Sequence, residues 1–327
     1  MFRLLRNSKG WLLAVVLLIL LVFPRFASGY HTYLMLTFFA YAIILLGLNL
    51  LLGYTGLLSF GYALYVGIGA YTATFLMSKF SIMSMEVIIV ISIMISAILG
   101  SLMGILCVRY VKIYFAMLTL AFSSLFHSLI LKTYRISGAD EGLHVLRPYL
   151  LGFNQTEIPK MEFLAGSFYY YNLAVAVIAT FIMWRIVSSH FGLCLKSIRE
   201  NPEKAKYLGI NIIKCREYAF ILSSVYGAVG GALLASITGH VDSSVVYWTH
   251  SGSLVFMALL GGFQSFFGPL IGAVVYIYLQ DTVMSITQYW RIIFGIILAF
   301  IVIVAPGGLI GVMEYFMKRF RDIKGAN

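Results

Sequence analysis

The sequence predicts an all-α, polytopic membrane protein with about ten transmembrane helices. Of its 327 residues, 61% are hydrophobic and only 11% are charged, so the chain has too little polar surface for a soluble globule. Apolar runs close to the roughly 20 residues that a helix needs to cross a bilayer also recur along the whole chain. We therefore interpret residues 1–327 as a single transmembrane domain.

The apolar runs define ten predicted spans. They cover about residues 11–29, 32–52, 60–78, 86–107, 113–131, 168–188, 218–238, 250–264, 268–287 and 290–305. Arg3, Arg6 and Lys9 precede the first run, as in a signal peptide, but no clear small-x-small cleavage site follows before Pro24. We keep this run as a retained span, and an even number of spans places both termini on one side.

The distribution of basic residues predicts which side holds the termini. On this topology 16 of the 23 Lys and Arg residues share that face with five carboxylates, whereas the other face holds seven residues of each sign. Because basic residues concentrate inside, both termini and loop 189–217 are predicted to be cytoplasmic, and loop 132–167 periplasmic. The excess of basic residues on the cytoplasmic face thus accounts for the net charge of +11, and no nucleic-acid partner is expected.

Two glycine-rich breaks interrupt the predicted spans. The first break, residues 51–61, contains Gly53, Gly56, Ser59 and Gly61, and the second break, residues 259–269, contains Gly261, Gly262, Ser265 and Gly268. Each glycine weakens a helix by roughly 1 kcal/mol relative to alanine, so we expect the helices to be broken here. Gly67 and Gly69, which follow the first break, predict close approach of a neighbouring helix.

The breaks have two interpretations. Unwound backbone at membrane depth is tolerated only where protein or a water-filled cavity surrounds it, which makes these eight residues candidates for a translocation pathway. Alternatively, the breaks are tight turns with a helix-packing face. The two breaks share the order Leu-Leu-Gly, Ser-Phe, Gly, but chance similarity of two apolar segments stays open as an explanation.

Loop 189–217 is the densest concentration of charge and contains a short predicted helix, residues 202–208. Asn201 can cap its free N–H groups, Pro202 suits its first position, and Gly209 can adopt the left-handed conformation that ends a helix. This helix is either a rigid contact for a separate ATP-hydrolysing subunit or a solvated connector against lipid headgroups.

For a contact with such a subunit, charged residues would pair with its polar groups, and Ala205 and Leu208 would fill its groove. The candidate coupling residues are Arg199, Glu200, Asn201, Pro202, Glu203, Lys204, Ala205, Leu208 and Gly209. At the other face, loop 132–167 carries four basic and four acidic residues. This loop is a solvated segment or a docking surface for a soluble partner.

Several chemistries are absent from the sequence. It contains no G-x-x-x-x-G-K-[ST] phosphate loop, no H-E-x-x-H, no G-x-S-x-G and no cysteine–histidine metal spacing, so we expect no ATPase activity, metal or cofactor of its own. A membrane-embedded enzyme would need clustered catalytic side chains that are not found. An ion-coupled secondary transporter stays open, although no span centre carries paired carboxylates.

Five segments carry a family resemblance: GYTGLLSFGYALYVGIGAY (53–71), IYFAMLTLAF (113–122), SGADEGL (137–143), FGLCLKSIRENPEKAKYLGIN (191–211) and LLGGFQSFFGPLIGA (259–273). They resemble the LivM-type inner-membrane permease subunits of branched-chain amino acid ABC transporters, in order, from about residue 30 to 305. Pro202 stands where many members have another residue.

The resemblance implies a transporter core with a second, related permease subunit, two cytoplasmic ATPase subunits that use the ATP, and a periplasmic substrate-binding protein. It also implies a multi-pass protein in contact with the lipid of a bacterial inner membrane. Leucine, isoleucine and valine are the implied substrates, and urea, short amides and other amino acids are handled by relatives.

Overall fold

The computed structural model describes residues 15–153, 159–304 and 307–311. Its described residues are helical apart from connections and one pair of two-residue strands, which agrees with the predicted all-α class. The helices are α1 (Val15–Phe26), α2 (Gly29–Asn49), α3 (Ala63–Lys79), α4 (Met85–Cys107), α5 (Ile113–Lys132), α6 (Tyr134–Ser137), α7 (Lys160–Ala165), α8 (Ser167–Val187), α9 (His190–Glu200), α10 (Pro202–Tyr207), α11 (Ile212–Thr238), α12 (Trp248–Gly261), α13 (Gly268–Ile286) and α14 (Trp290–Val304). Strands β1 (Leu143–His144) and β2 (His240–Val241) pair antiparallel.

Each predicted span coincides with one of these helices. Six stretches are long and apolar enough to cross a membrane: Gly29–Thr55, Met85–Cys107, Ile113–Lys132, Glu162–Val187, Ile212–Thr238 and Gly268–Ile286. The described parts of α1, α3, α12 and α14 are shorter, so a count of ten crossings stays a prediction. The predicted positions of the two termini fall on residues 1–14 and 312–327, which lie outside the described residues.

Helix α11 lies at the centre of the molecule and packs against α2, α3 and α4. Small residues allow this packing: a Cβ at Gly69 would strike the carbonyl of Ala228, and one at Gly231 would strike the carbonyl of Val66. Close backbone approach is how helices gain packing energy in lipid, where no hydrophobic force drives them together. The predicted packing role of Gly69 is therefore confirmed.

Residues 139–145 of loop 132–167 are bonded to the segment that follows α11, residues 239–243. The backbone N–H of Ser243 donates to Ala139 (3.1 Å), and the Ser243 hydroxyl donates to the Asp140 carboxylate. Glu141 accepts a hydrogen bond from the Tyr134 hydroxyl (2.6 Å). Asp140 thus connects the SGADEGL segment to Ser243, whereas the Glu141 bond lies within the segment's own surroundings, and a docking role for loop 132–167 stays a prediction.

Candidate functional site

Loop 189–217 is more ordered than its charge suggested, because it begins with a full helix, α9. Leu195 and Ile198 of α9 are completely buried and, with Phe191, form an i, i+4, i+7 stripe against the protein. The opposite face carries Lys196 and the exposed Leu193. Sequence reasoning missed this helix, although the apolar stripe was the signal that could have revealed it.

The predicted short helix is present as α10, with both ends formed as expected. The side chain of Asn201 accepts a hydrogen bond from the backbone N–H of Lys204 (3.0 Å), and Pro202 occupies the first turn. Gly209 has a φ of +81°, and the N–H of Ile210 donates to the carbonyl of Ala205 (3.1 Å). We call α9 and α10 together the coupling segment.

The exposed surface of α10 differs from the predicted contact surface in one respect. Leu208 is 77% exposed and the neighbouring Tyr207 is 90% exposed, so both offer apolar area to a partner. Ala205 is only 1% exposed because it faces the rest of its own chain. The prediction that Ala205 fills a partner's groove is therefore wrong, whereas Glu200, Glu203 and Lys204 lie at the surface as expected.

The first break is an interruption of a helix, as predicted. After Asn49 the backbone widens into π-helical turns over Leu50–Thr55, and Gly56 ends them in the left-handed conformation with a φ of +73°. Such π turns inside helices occur frequently at functional sites. α3 begins only at Ala63, so residues 57–62 are not part of a regular span.

The second break separates α12 from α13. Gly262 follows the end of α12 with a φ of +100°, a conformation that a residue with a side chain rarely adopts. Gly261 and Gly268 lie so close that a Cβ on Gly261 would strike the carbonyl of Gly268. This break is thus a tight connection between two helix ends. The prediction that the helix is broken here is confirmed.

The two breaks meet in the folded chain, which no local pattern indicated. The Asn49 side-chain amide donates to the carbonyl of Ser265 (3.2 Å), and a Cβ at Gly53 would strike the carbonyl of Phe263. Asn49 is 1% exposed, and its Oδ1 has no hydrogen-bond partner among the described residues. Gly53, Gly261, Gly262, Ser265 and Gly268 therefore belong to one region.

The other three predicted pathway residues lie apart from this contact. Gly61 faces α5, where a Cβ would strike the carbonyl of Thr119. Ser59 is buried, and its hydroxyl has no hydrogen-bond partner among the described residues. Gly56 is exposed and lies beside Arg199. A lining role for any of these residues stays a prediction.

The coupling segment touches the breaks through two basic side chains. The Arg199 guanidinium donates to the carbonyl of Gly53, and its Cζ lies 5.6 Å from the centre of the Phe263 ring. One turn earlier, the Lys196 ammonium lies 5.3 Å from the centre of the Tyr54 ring. Arg199 is also an exposed residue, so its expected pairing with a separate subunit stays a prediction beside these contacts within the chain. Sequence reasoning missed Lys196 and Phe263 altogether.

The arrangement defines a class of protein: a multi-pass helical membrane protein with broken helices beside a capped surface helix, which is the organisation of a transport permease. Among the described residues, no group of three or more His, Cys, Asp or Glu side chains could hold a metal ion. The family described as the permease component of the branched-chain amino acid transport system matches residues 30–305, and the chain belongs to this family.

Individual relatives agree with this membership. The chain is 24% identical to the high-affinity branched-chain amino acid transport system permease protein LivM of Salmonella typhimurium, over 83% of this chain and 67% of the relative. It is 24% identical to the probable LivM protein of Methanocaldococcus jannaschii, over 85% of this chain and 92% of the relative. A nucleoside ABC transporter permease of Lactococcus lactis is 32% identical over 38% of this chain and 35% of the relative. No solved structure matches significantly.

Proposed function

We propose that this chain is a translocating permease subunit of an ATP-binding-cassette importer in the bacterial inner membrane. Its proposed substrates are leucine, isoleucine and valine, or related small polar molecules. The similarity to two LivM proteins that match most of this chain supports branched-chain amino acids as the substrates. Similarity to relatives named as nucleoside and galactose permeases supports the broader substrate class of small polar molecules.

The proposed assembly contains a second, homologous permease subunit, two cytoplasmic ATPase subunits and a periplasmic binding protein. The ATPase subunits supply the energy, because this chain carries no phosphate loop. The eight glycine and serine residues of the two breaks are proposed to lie on or near the translocation pathway. This chain binds neither a metal ion nor another cofactor in the proposal.

The observation that carries the proposal is the geometry of the coupling segment. Tyr207 and Leu208 are exposed at the C-terminal end of the capped helix α10, and Arg199 of α9, which is also exposed, contacts the first break. A short helix fixed at both ends transmits a displacement better than a flexible loop does. The segment is therefore suited to pass a movement of the ATPase to the interrupted helices.

Transport by the purified complex tests the function. The chain is co-purified with its partner subunits and reconstituted in proteoliposomes with ATP inside, the binding protein outside and no ion gradient. We expect uptake of radiolabelled leucine that requires ATP. Unlabelled isoleucine, valine, guanosine and galactose, added as competitors, define the substrate class. Uptake that needs a proton or sodium gradient and no ATP would instead identify a secondary transporter.

A further inference from the structure

We infer that Arg199 is a positioning residue that holds both glycine breaks together, and that a displacement of α10 opens them by withdrawing this side chain. The inference deepens the proposed function and rests on it. It adds to the role that the sequence suggested for Arg199, which was a contact with polar groups of the ATPase.

A single side chain reaches both breaks. The Arg199 guanidinium donates to the Gly53 carbonyl in the first break and lies over the ring of Phe263 in the second. Its stem runs beside Gly56, where a Cβ would come within 3.2 Å of the Arg199 Cγ. The absence of a side chain at Gly56 thus leaves room for the arginine stem.

The local electrostatics favour a cation at this place. Gly53 lies in the last turn of the continuous helical stretch Gly29–Thr55, where the final carbonyls have no partner within the helix. The C-terminal end of a helix also carries a partial negative charge. Arg199 therefore satisfies a carbonyl that the break leaves without a helical partner, and its charge complements the helix dipole.

An arginine suits these contacts better than a lysine. The planar guanidinium can donate hydrogen bonds in its plane while its face stacks on an aromatic ring. An ammonium group can make either contact at a given moment but cannot provide the same flat, forked geometry. The two partners of Arg199, a backbone carbonyl and the Phe263 ring, thus suit the flat shape of a guanidinium.

The position of Arg199 connects these contacts to α10. Arg199 lies in the last turn of α9, and the Asn201 N–H that donates to Ser197 (3.0 Å) joins this turn to the α10 cap. In the proposal, a displacement of α10 therefore moves Arg199, which lies two residues before the Asn201 cap. The bond of Asn49 to Ser265 also links the breaks, and it does so without the coupling segment, so this link remains when Arg199 is withdrawn.

Thiol accessibility provides a test that does not depend on transport. In the full complex, Cys107, Cys194 and Cys215 are replaced by serine, and Ser265→Cys places a nearly isosteric thiol at a half-buried position where the two breaks meet. Arg199→Gln and Arg199→Lys are then compared with the parent. Arg185→Gln is the matched control, because Arg185 is an exposed arginine at the end of α8. N-ethylmaleimide labelling is measured in inverted vesicles.

We expect Arg199→Gln to raise the labelling rate about fivefold or more, since a hydrogen bond from a charged donor and a ring contact are lost. Arg199→Lys should fall between this variant and the parent, and Arg185→Gln should label like the parent. Parental labelling in Arg199→Gln would overturn the inference. If the Gln variant fails to assemble, the Lys variant decides: faster labelling in an intact complex supports the inference, and an unchanged rate refutes it.

Leucine uptake by the wild-type complex, which carries none of the cysteine and serine substitutions, separates the two proposals. Normal uptake together with unchanged labelling in an assembled Arg199 variant would refute the role of Arg199 and leave the proposed function intact. Faster labelling of the Arg199 variant, together with a wild-type complex that does not transport leucine, would support the role of Arg199 and refute leucine as the substrate. If the proposed function and the role of Arg199 are both correct, the Arg199→Gln complex should consume more ATP per leucine transported than the parent.

Discussion

Leu208 and Ala205 lie close together in sequence but have opposite surroundings, and this difference yields a prediction. Leu208 is 77% exposed, whereas Ala205 is 1% exposed. Leu208→Asp should leave the fold unchanged but weaken binding of the ATPase, because an apolar contact becomes charged. Ala205→Leu should instead destabilise the chain by about 1–3 kcal/mol, because it overfills a packed position.

Two measurements check this pair of variants. Co-purification reports binding of the ATPase subunits, and thermal unfolding in detergent reports the stability of the chain. The expected pattern is a loss of co-purification without a change of unfolding temperature for Leu208→Asp. Full retention of the ATPase by Leu208→Asp would show that this end of α10 is a solvated connector.

Gly61 and Gly252 form a second matched pair at the residue scale. A Cβ at Gly61 would strike the carbonyl of Thr119, whereas a Cβ at Gly252 would meet nothing within 4 Å. Gly61→Ala should therefore destabilise the protein by about 1–3 kcal/mol through overpacking. Gly252→Ala, inside α12, should be neutral or stabilise the protein by up to about 1 kcal/mol. Equal unfolding temperatures for the two variants would contradict the packing of the first break against α5.

At the scale of elements, local signals predicted α10 well and α9 poorly. The ends of α10 were recognised because the cap, the proline and the glycine each act within a few residues. α9 was overlooked because its charged face dominated the composition of the loop. The π-helical widening of Leu50–Thr55 was likewise seen only as a break, since glycine content predicts weakness of a helix but not its geometry.

The cap of α10 gives a prediction for the whole element. Asn201→Ala removes the acceptor for the Lys204 N–H, which should destabilise the helix by about 1 kcal/mol. Asn201→Asp keeps an acceptor and adds a favourable charge at the helix N-terminus, so it is the control. We expect Asn201→Ala to raise ATP hydrolysis per molecule transported, while Asn201→Asp stays near the parent. Identical ratios in the two variants would mean that the stiffness of α10 is not needed.

At the scale of the whole molecule, the two ends of α11 adjoin different loops. The N-terminal end of α11 adjoins α10, and its C-terminal end leads into β2 and loop 132–167. A helix of 27 residues lies between these ends and is long and apolar enough to cross a membrane. The coupling segment and loop 132–167 are therefore expected on opposite faces of the bilayer.

Cysteine labelling in intact cells tests this topology. Lys206→Cys on α10 should resist a membrane-impermeant maleimide, and Arg135→Cys on α6 should react, because both positions are exposed but on opposite faces. Arg135 is preferred to Asp140, which is bonded to Ser243. Permeabilised cells provide the control in which both cysteines react. The reverse pattern in intact cells would overturn the predicted sidedness.

The sequence by itself determined the helical class, the position of each apolar helix, the two breaks and the ends of α10. These features follow from local composition, because lipid leaves the backbone no partner outside its own helix and glycine or a cap acts within one turn. Only the tertiary structure decided that Ala205 is buried and that Arg199 contacts Gly53, 146 residues away in sequence. The contact between Asn49 and Ser265 spans 216 residues. Such pairings depend on how helices pack around α11, and no local pattern encodes them.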